Sequence, residues 1–111
     1  MKRTLSPAAM ESLRASTAEG CALLKAMANQ DRLLLLCQLT QGELCVSDLE
    51  ELLDIHQPTL SQQLGVLREE GLVTTRRDGK NIYYQLASME VIQIMDTLSK
   101  LFCGKALAAH K

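Results

Sequence analysis

The segment from residue 47 to residue 86 most constrains the fold, because it places two short helix patterns and a hairpin in close succession. "SDLE" has the capping-box pattern, in which a serine and a glutamate three residues later satisfy free amides at a helix start. "PTLSQQLGVLREEG" begins with proline and is stopped by Gly71. "LVTTRR" and "NIYYQL" are β-rich runs joined around Asp78-Gly79, which is a hairpin signal. This order predicts a helix-turn-helix followed by a β-hairpin.

Further helix patterns flank this segment on both sides. A first helix is predicted from Ser6, as the N-cap, to about Ala28. A second, "RLLLLCQL", is capped by Asn29 or Asp31 and is apolar nearly all round, which predicts burial. Ser88 caps a last helix, whose apolar residues keep helical spacing: Val91, Ile94, Met95, Leu98, Leu101 and Phe102.

The composition agrees with a small, mainly helical domain. Hydrophobic residues make up 47% of the 111 residues but aromatics only 3%, so the core must be built from aliphatic side chains. The predicted fold class is mainly α with a β-hairpin wing (α+β), a winged helix-turn-helix with extra terminal helices. We expect one domain over residues 1–111, with flexible tails at residues 1–6 and 105–111.

Several function classes are disfavoured by what the sequence lacks. No apolar run reaches the roughly 18 to 20 residues of a membrane span, and "MKRTLSPAAM" does not have the apolar stretch of a secretory signal. Four cysteines in such a chain predict reduced thiols and a cytoplasmic location. Without CxxC or a closely spaced His/Cys pair, we expect no metal site, no cofactor and no enzymatic activity.

Charge is unevenly distributed along the chain, although the net charge is only −1. Residues 43–54 contain five acids and no base, whereas "RRDGK" concentrates positive charge at the predicted hairpin turn. On charge alone, a solvated turn explains "RRDGK" as well as a binding site does.

The helix "PTLSQQLGVLREE" presents a polar face that suits base edges. On a helical wheel Leu60, Leu64 and Leu67 define the buried side, and Ser61, Gln62 and Gly65 point away. A polar helix face is more often a plain wet surface, but here it follows a capped helix and a tight turn and precedes a basic hairpin. The residues predicted to bind DNA are Gln57, Thr59, Ser61, Gln62, Gln63, Arg76, Arg77 and Lys80.

"HQPTLSQQLGVLREEGLVTTRRDGKNIYYQL" resembles the DNA-binding half of ArsR-family bacterial repressors, and the likeness extends from "LLKAMANQDRLLLL" to "LSKLFC". The resemblance implies a symmetric homodimer, with the first and last helices as dimerisation helices. It also implies binding to an imperfect palindrome in double-stranded operator DNA, and release when an inducer arrives.

Two metal-sensing branches of the family match this chain poorly. Arsenic sensors carry "ELCVCDL", and the present "ELCVSDL" keeps Cys45 but has Ser47 in place of the second cysteine. Zinc sensors place Asp and His on the last helix, where this chain offers Asp96 but no histidine; His56 is expected in a turn and His110 in the tail. A metal(loid)-responsive repressor that uses Cys45 and other thiols is the alternative.

A third branch carries one cysteine in the second helix and one at the end of the last, as Cys37 in "LLLLCQL" and Cys103 in "KLFC" do here. The chain is similar to the persulfide- and redox-sensing branch, which includes the biofilm growth-associated and sulfide-responsive repressors. The resemblance implies that a small sulfur species or an oxidant joins the two thiols in an intramolecular disulfide or polysulfide bridge. DNA is then released, and sulfide-detoxification genes are derepressed.

By residue type alone, Cys37 is more often an inert apolar filler. Our hypothesis is that Cys103 reacts first and Cys37 closes the bridge, with Cys21 and Cys45 as bystanders.

Overall fold

The computed structural model describes residues 4–103, and the side chains of residues 4–102. Its helices and strands follow the predicted order, so the mainly α winged helix-turn-helix is confirmed. Their bounds are α1 Pro7–Met27, α2 Gln30–Leu39, β1 Leu44–Cys45, α3 Val46–Leu53, α4 Thr59–Glu69, β2 Val73–Asp78, β3 Asn81–Leu86 and α5 Met89–Leu98. A π-helical turn, Ser99–Cys103, continues α5. Of the two expected tails, residues 1–3 and 105–111, with His110, lie outside the described residues, and Ser6 belongs to the start of α1.

Three of the helices begin at the polar residues that the sequence indicated. The side chains of Ser6, Asn29 and Ser88 each accept a hydrogen bond from the backbone N–H three residues later, at 3.1, 3.1 and 3.2 Å. Each bond satisfies one of the amides that a helix start leaves without an intrahelical partner. The predicted caps of α1, α2 and α5 are therefore confirmed.

The start of α3 differs from the prediction by two residues. The helix begins at Val46 with Cys45 as its N-cap, and the Asp48 carboxylate, rather than that of Glu50, accepts the reciprocal bond from the Cys45 N–H at 3.4 Å. The cause is the short strand β1, which the sequence pattern did not indicate. Because Cys45 pairs with Tyr83 of β3, the backbone stays extended up to Cys45 and turns helical directly after it.

The wing is a hairpin closed by a two-residue loop. Strands pair in the order β1-β3-β2, all antiparallel, and Asp78 lies opposite Asn81 at the end of the ladder. Gly79 in the loop has φ +64°, a backbone conformation that residues with a Cβ rarely adopt. The hairpin prediction around Asp78-Gly79 is confirmed.

The core is aliphatic, and it fixes the helix-turn-helix to the rest of the domain. Tyr84 and Leu86 of β3 pack against this core. The expectation that α2 is buried nearly all round holds only in part, because Leu34 is 39% exposed. The largest fully buried side chains are Leu35, Leu36, Leu49, Leu60, Leu64, Leu67, Val91 and Met95.

Most of α1 is not covered by the rest of the chain. Every residue from 7 to 22 is exposed, and only Ala26 and Met27 at the end of the helix are buried. Most helical stability in proteins comes from packing of one face, and this part of α1 has little such packing within its own chain. Within residues 4–103, no helix is long and apolar enough to span a membrane.

Candidate nucleic-acid interface

Helix α4 has the two faces that its sequence predicted. Leu60, Leu64 and Leu67 are buried, at 0%, 1% and 0% exposure, while Ser61 and Gln62 are exposed. The buried leucines fix the rotation of the helix about its axis. The first two turns therefore present short polar side chains to solvent, which is the part of a recognition helix that meets base edges in a major groove.

The start of α4 uses a side chain that was predicted to contact DNA. Gln57 lies just before the helix, and its Oε1 accepts a hydrogen bond from the backbone N–H of Ser61 at 3.1 Å. This bond satisfies one of the free amides in the first turn and restrains the Gln57 side chain next to the helix start, where Pro58 is the N-cap. Thr59, the first residue of the helix, is half-buried.

Gln63, another predicted DNA contact, faces the protein. It is half-buried, and its Oε1 accepts a hydrogen bond from Nη1 of Arg32 at 2.8 Å. Arg32 lies in α2, 31 residues earlier in the chain. The sequence analysis did not single out Arg32. The available signal was its place directly before four leucines, because a charged side chain near a core needs a polar partner.

Arg76 in the wing is also engaged by the protein. Its Nε and Nη2 donate to the two carboxylate oxygens of Glu43, both at 2.8 Å. Its guanidinium carbon lies 4.5 Å from the ring centroid of Tyr83, its cross-strand partner. The hydrogen bonds to Glu43 raise the pKa of Arg76 above its ordinary value. No local sequence signal identified Glu43, because the pair spans 33 residues.

Arg77 and Lys80 complete the basic part of the wing. Both are exposed, and Lys80 lies in the two-residue loop at the tip of the hairpin. Two exposed cations on the hairpin and an exposed polar face on α4 suit a duplex, because phosphates attract cations while base edges meet polar side chains.

The predicted sensing thiols lie in different helices. Cys37 is half-buried in α2 and packs against the core. The backbone of Cys103 lies in the turn that continues α5, and its side chain lies outside the described residues. Cys21 is exposed on α1.

Cys45 has polar neighbours within its own helix start. Its Sγ donates to Asp48 Oδ2 at 3.1 Å and lies 3.2 Å from Ser47 Oγ. His56 and Asp96, which were weighed as metal ligands, are exposed: His56 Nε2 lies 2.8 Å from Asp54 Oδ1, and Asp96 Oδ2 lies 3.0 Å from Lys100 Nζ. Among the described residues, no three His, Cys, Asp or Glu side chains come together as a metal site.

Comparisons with known proteins agree with this geometry. The family model described as "Bacterial regulatory protein, arsR family" matches residues 29–75. The biofilm growth-associated repressor of Agrobacterium fabrum is 54% identical over 82 residues, which cover 74% of this chain and 70% of that protein. A structure described as reduced HlyU from Vibrio cholerae superposes with a TM-score of 0.81 at 41% identity, covering 84% of this chain and 98% of that one.

A third neighbour is a homodimeric winged helix-turn-helix DNA-binding domain from Mycobacterium bovis, described as a possible ArsR-family regulator. It has a TM-score of 0.71 at 28% identity, covering 98% of this chain and 96% of that one.

A helix-turn-helix packed on an aliphatic core, an outward polar face on its second helix and a basic wing define a DNA-binding transcriptional regulator of the winged-helix class, and the similar proteins are regulators rather than enzymes. Within that class, the similarity to the Agrobacterium protein over most of the chain shows that this protein belongs to the arsR family of bacterial regulatory proteins.

Proposed function

We propose that the protein is a homodimeric repressor that binds double-stranded operator DNA and leaves it when Cys37 and Cys103 are joined by reactive sulfur species or an oxidant. The observation that carries the DNA-binding part is that Ser61 and Gln62 of α4 and Arg77 and Lys80 of the wing are all exposed. The sensing part rests on the resemblance to the thiol-sensing branch and on the half-buried Cys37 in a helix that packs against the core.

Within the operator, we assign different roles to the predicted contacts. Ser61 and Gln62, with Gln57 and Thr59 at the helix start, meet base edges in the major groove. Arg77 and Lys80 contact phosphates or the minor groove. Gln63 and Arg76 hold these groups in place, because the side chain of each is bonded to a side chain more than 30 residues away in the chain.

Substitutions separate the reading role from the phosphate role. We expect Gln62→Ala to change which bases are selected from a randomised duplex library, whereas Arg77→Ala leaves that selection unchanged and weakens binding to every duplex. Equal losses for Gln62→Ala on selected and random DNA would remove Gln62 from the reading role.

The dimer assignment is supported by apolar surface on the terminal helices. Residues 7–22 of α1 are exposed, and Leu101 and Phe102 after α5 are 68% and 79% exposed. A groove of about 480 Å³ between α1 and α5 is lined in part by Leu23, Ile94 and Leu98. A second copy placed against these helices would cover this surface, and two-fold symmetry of the protein would match a palindrome in the DNA.

The thiol switch is a two-electron oxidation. The Cys103 thiolate attacks the outer sulfur of a persulfide RS–SH and expels RS⁻, which leaves a persulfide on Cys103. The Cys37 thiolate then attacks Sγ of Cys103 and expels HS⁻, so that a disulfide forms. With peroxide, Cys103 becomes a sulfenic acid and Cys37 expels water. If a bridge favours one arrangement of the helices, a coupling of about 1–3 kcal/mol lowers DNA affinity about 5- to 150-fold.

Intact-protein mass spectrometry tests the switch, with DNA release followed in parallel by fluorescence anisotropy. Glutathione persulfide is expected to give an intramolecular bridge and DNA release in the parent protein and in the Cys21→Ser control. Neither is expected in Cys37→Ser or Cys103→Ser. A product with two added sulfurs and two lost hydrogens identifies a tetrasulfide.

Two results would contradict the thiol switch. One is release from a Cys37→Ser/Cys103→Ser double variant. The other is release by arsenite or zinc that depends on Cys45, which favours the metal(loid)-responsive alternative.

A further inference from the structure

Arg32 connects three helices through one guanidinium group. Its Nε donates to the backbone carbonyl of Ala26 in α1 at 2.5 Å, and its Nη2 approaches the carbonyl of Lys25 at 3.4 Å. Its Nη1 donates to Gln63 Oε1 in α4 at 2.8 Å, while Arg32 itself belongs to the first turn of α2. A planar fork of N–H donors reaches all three acceptors at once, which the single ammonium group of a lysine does not do.

We infer that Arg32 is a positioning residue for the DNA-reading helix, acting through Gln63. This inference rests on the proposed assignment of α4 as that helix. Gln63 directly follows Gln62 in the chain, but it is half-buried and faces α2, whereas Gln62 is exposed. The bond from Arg32 therefore restrains α4 on one side while its other side presents side chains to the groove.

The bond from Arg32 adds a directional restraint to that of leucine packing. The buried residues Leu60, Leu64 and Leu67 fix which face of α4 turns inward. Apolar contacts are non-directional, so the restraint that these leucines impose comes from close packing alone. A hydrogen bond from a charged donor has a defined length and angle, so it fixes the axial position of α4 relative to the end of α1 and the start of α2. Base contacts depend on that position to within about an ångström.

A double-mutant cycle on DNA binding tests the inference. The full-length protein carries Arg32→Lys, Gln63→Met or both. The DNA is a duplex that the parent protein selects from a randomised library. Lysine keeps the charge, and methionine keeps the length and helix propensity of glutamine while removing the acceptor. Since a hydrogen bond to a charged group is broken in each case, we expect each single variant to bind about tenfold more weakly. If the two residues act through one bond, the double variant should bind DNA no more weakly than whichever single variant binds it less tightly.

Base preference separates positioning from direct contact. Gln63→Met is expected to select the same sequence as the parent and to keep the same slope of log affinity against log salt. The matched control is Gln62→Met, the same change at the neighbouring position, which should alter the selected sequence and add to the effect of Arg32→Lys. Urea unfolding is measured for every variant. If Arg32→Lys does not fold, the comparison of Gln63→Met with Gln62→Met decides.

The outcomes distinguish the inference from the proposed function. An altered base preference in Gln63→Met, additive effects in the cycle, or an unchanged affinity in Gln63→Met overturns the positioning role. If neither glutamine variant changes affinity or selected sequence, α4 does not read the DNA and the proposed assignment falls with the inference.

Discussion

Leu24→Ala on α1 is the most direct perturbation of the proposed dimer. Leu24 is a large apolar side chain, yet it is 58% exposed in the single chain. It lies on α1, most of which is not covered by the rest of the chain. Truncation to alanine removes three carbons, and a buried methylene contributes about 0.8 kcal/mol. If a partner covers the whole exposed part, each Leu24 contributes about 1.4 kcal/mol to association by the same scale.

A two-fold interface contains this residue twice. The expected loss is therefore about 2.8 kcal/mol, which raises the dimer dissociation constant about 100-fold. Analytical ultracentrifugation over a concentration series measures that constant directly. Binding to a palindromic duplex should weaken with it, because a monomer contacts one half-site only.

Leu52→Ala provides a matched control. Leu52 has nearly the same exposed fraction, 57%, but lies on α3 within the helix-turn-helix. We expect its truncation to leave the dissociation constant unchanged. A parent protein that is monomeric at micromolar concentration, or equal effects of the two substitutions, would refute the reasoning.

Four further outcomes are expected. Arg77→Ala should flatten the slope of log affinity against log salt by about one unit, since one phosphate contact is lost; an unchanged slope excludes that contact. Gly65→Ala, with open space around the added methyl, should raise the free energy of unfolding by about 0.5–1 kcal/mol yet weaken DNA binding; unchanged binding argues against a close approach of DNA there. Glu43→Gln removes the carboxylate that accepts from Arg76, so amide hydrogen exchange in β1 and the wing should quicken, with exchange in α5 as the internal control. Leu60→Ala should lower the free energy of unfolding by about 2–5 kcal/mol in urea titrations, because its side chain is fully buried.

Most of the fold was predictable, because its signals are local. Ser6, Asn29 and Ser88 cap helices through bonds to residues three positions away, and the glycine loop of the wing determines its hairpin. The start of α3 was not predictable in this way. Its position depends on the pairing of Leu44–Cys45 with β3, nearly 40 residues later, and a two-residue strand has no periodicity to detect.

The sequence predicted which side chains form the candidate interface, but not which protein residues those side chains bond to. Helical periodicity identified the outward face of α4, and Ser61 and Gln62 are exposed as expected. It did not reveal that Gln63 bonds to Arg32 or that Arg76 bonds to Glu43, because both pairs join residues more than 30 positions apart. A side chain's identity shows what it can bind, whereas tertiary contacts determine what it does bind.

If the proposed dimer forms, the bare surface of α1 makes DNA binding depend on the amount of this regulator in the cell. Residues 7–22 have little cover from their own chain, so on the proposed dimer their surface is covered only when two copies associate, and association depends on concentration. Dilution during rapid cell growth would then loosen operator occupancy without any chemical signal. Expression level and inducer would act on the same assembly equilibrium, and the response threshold would follow the number of molecules in the cell.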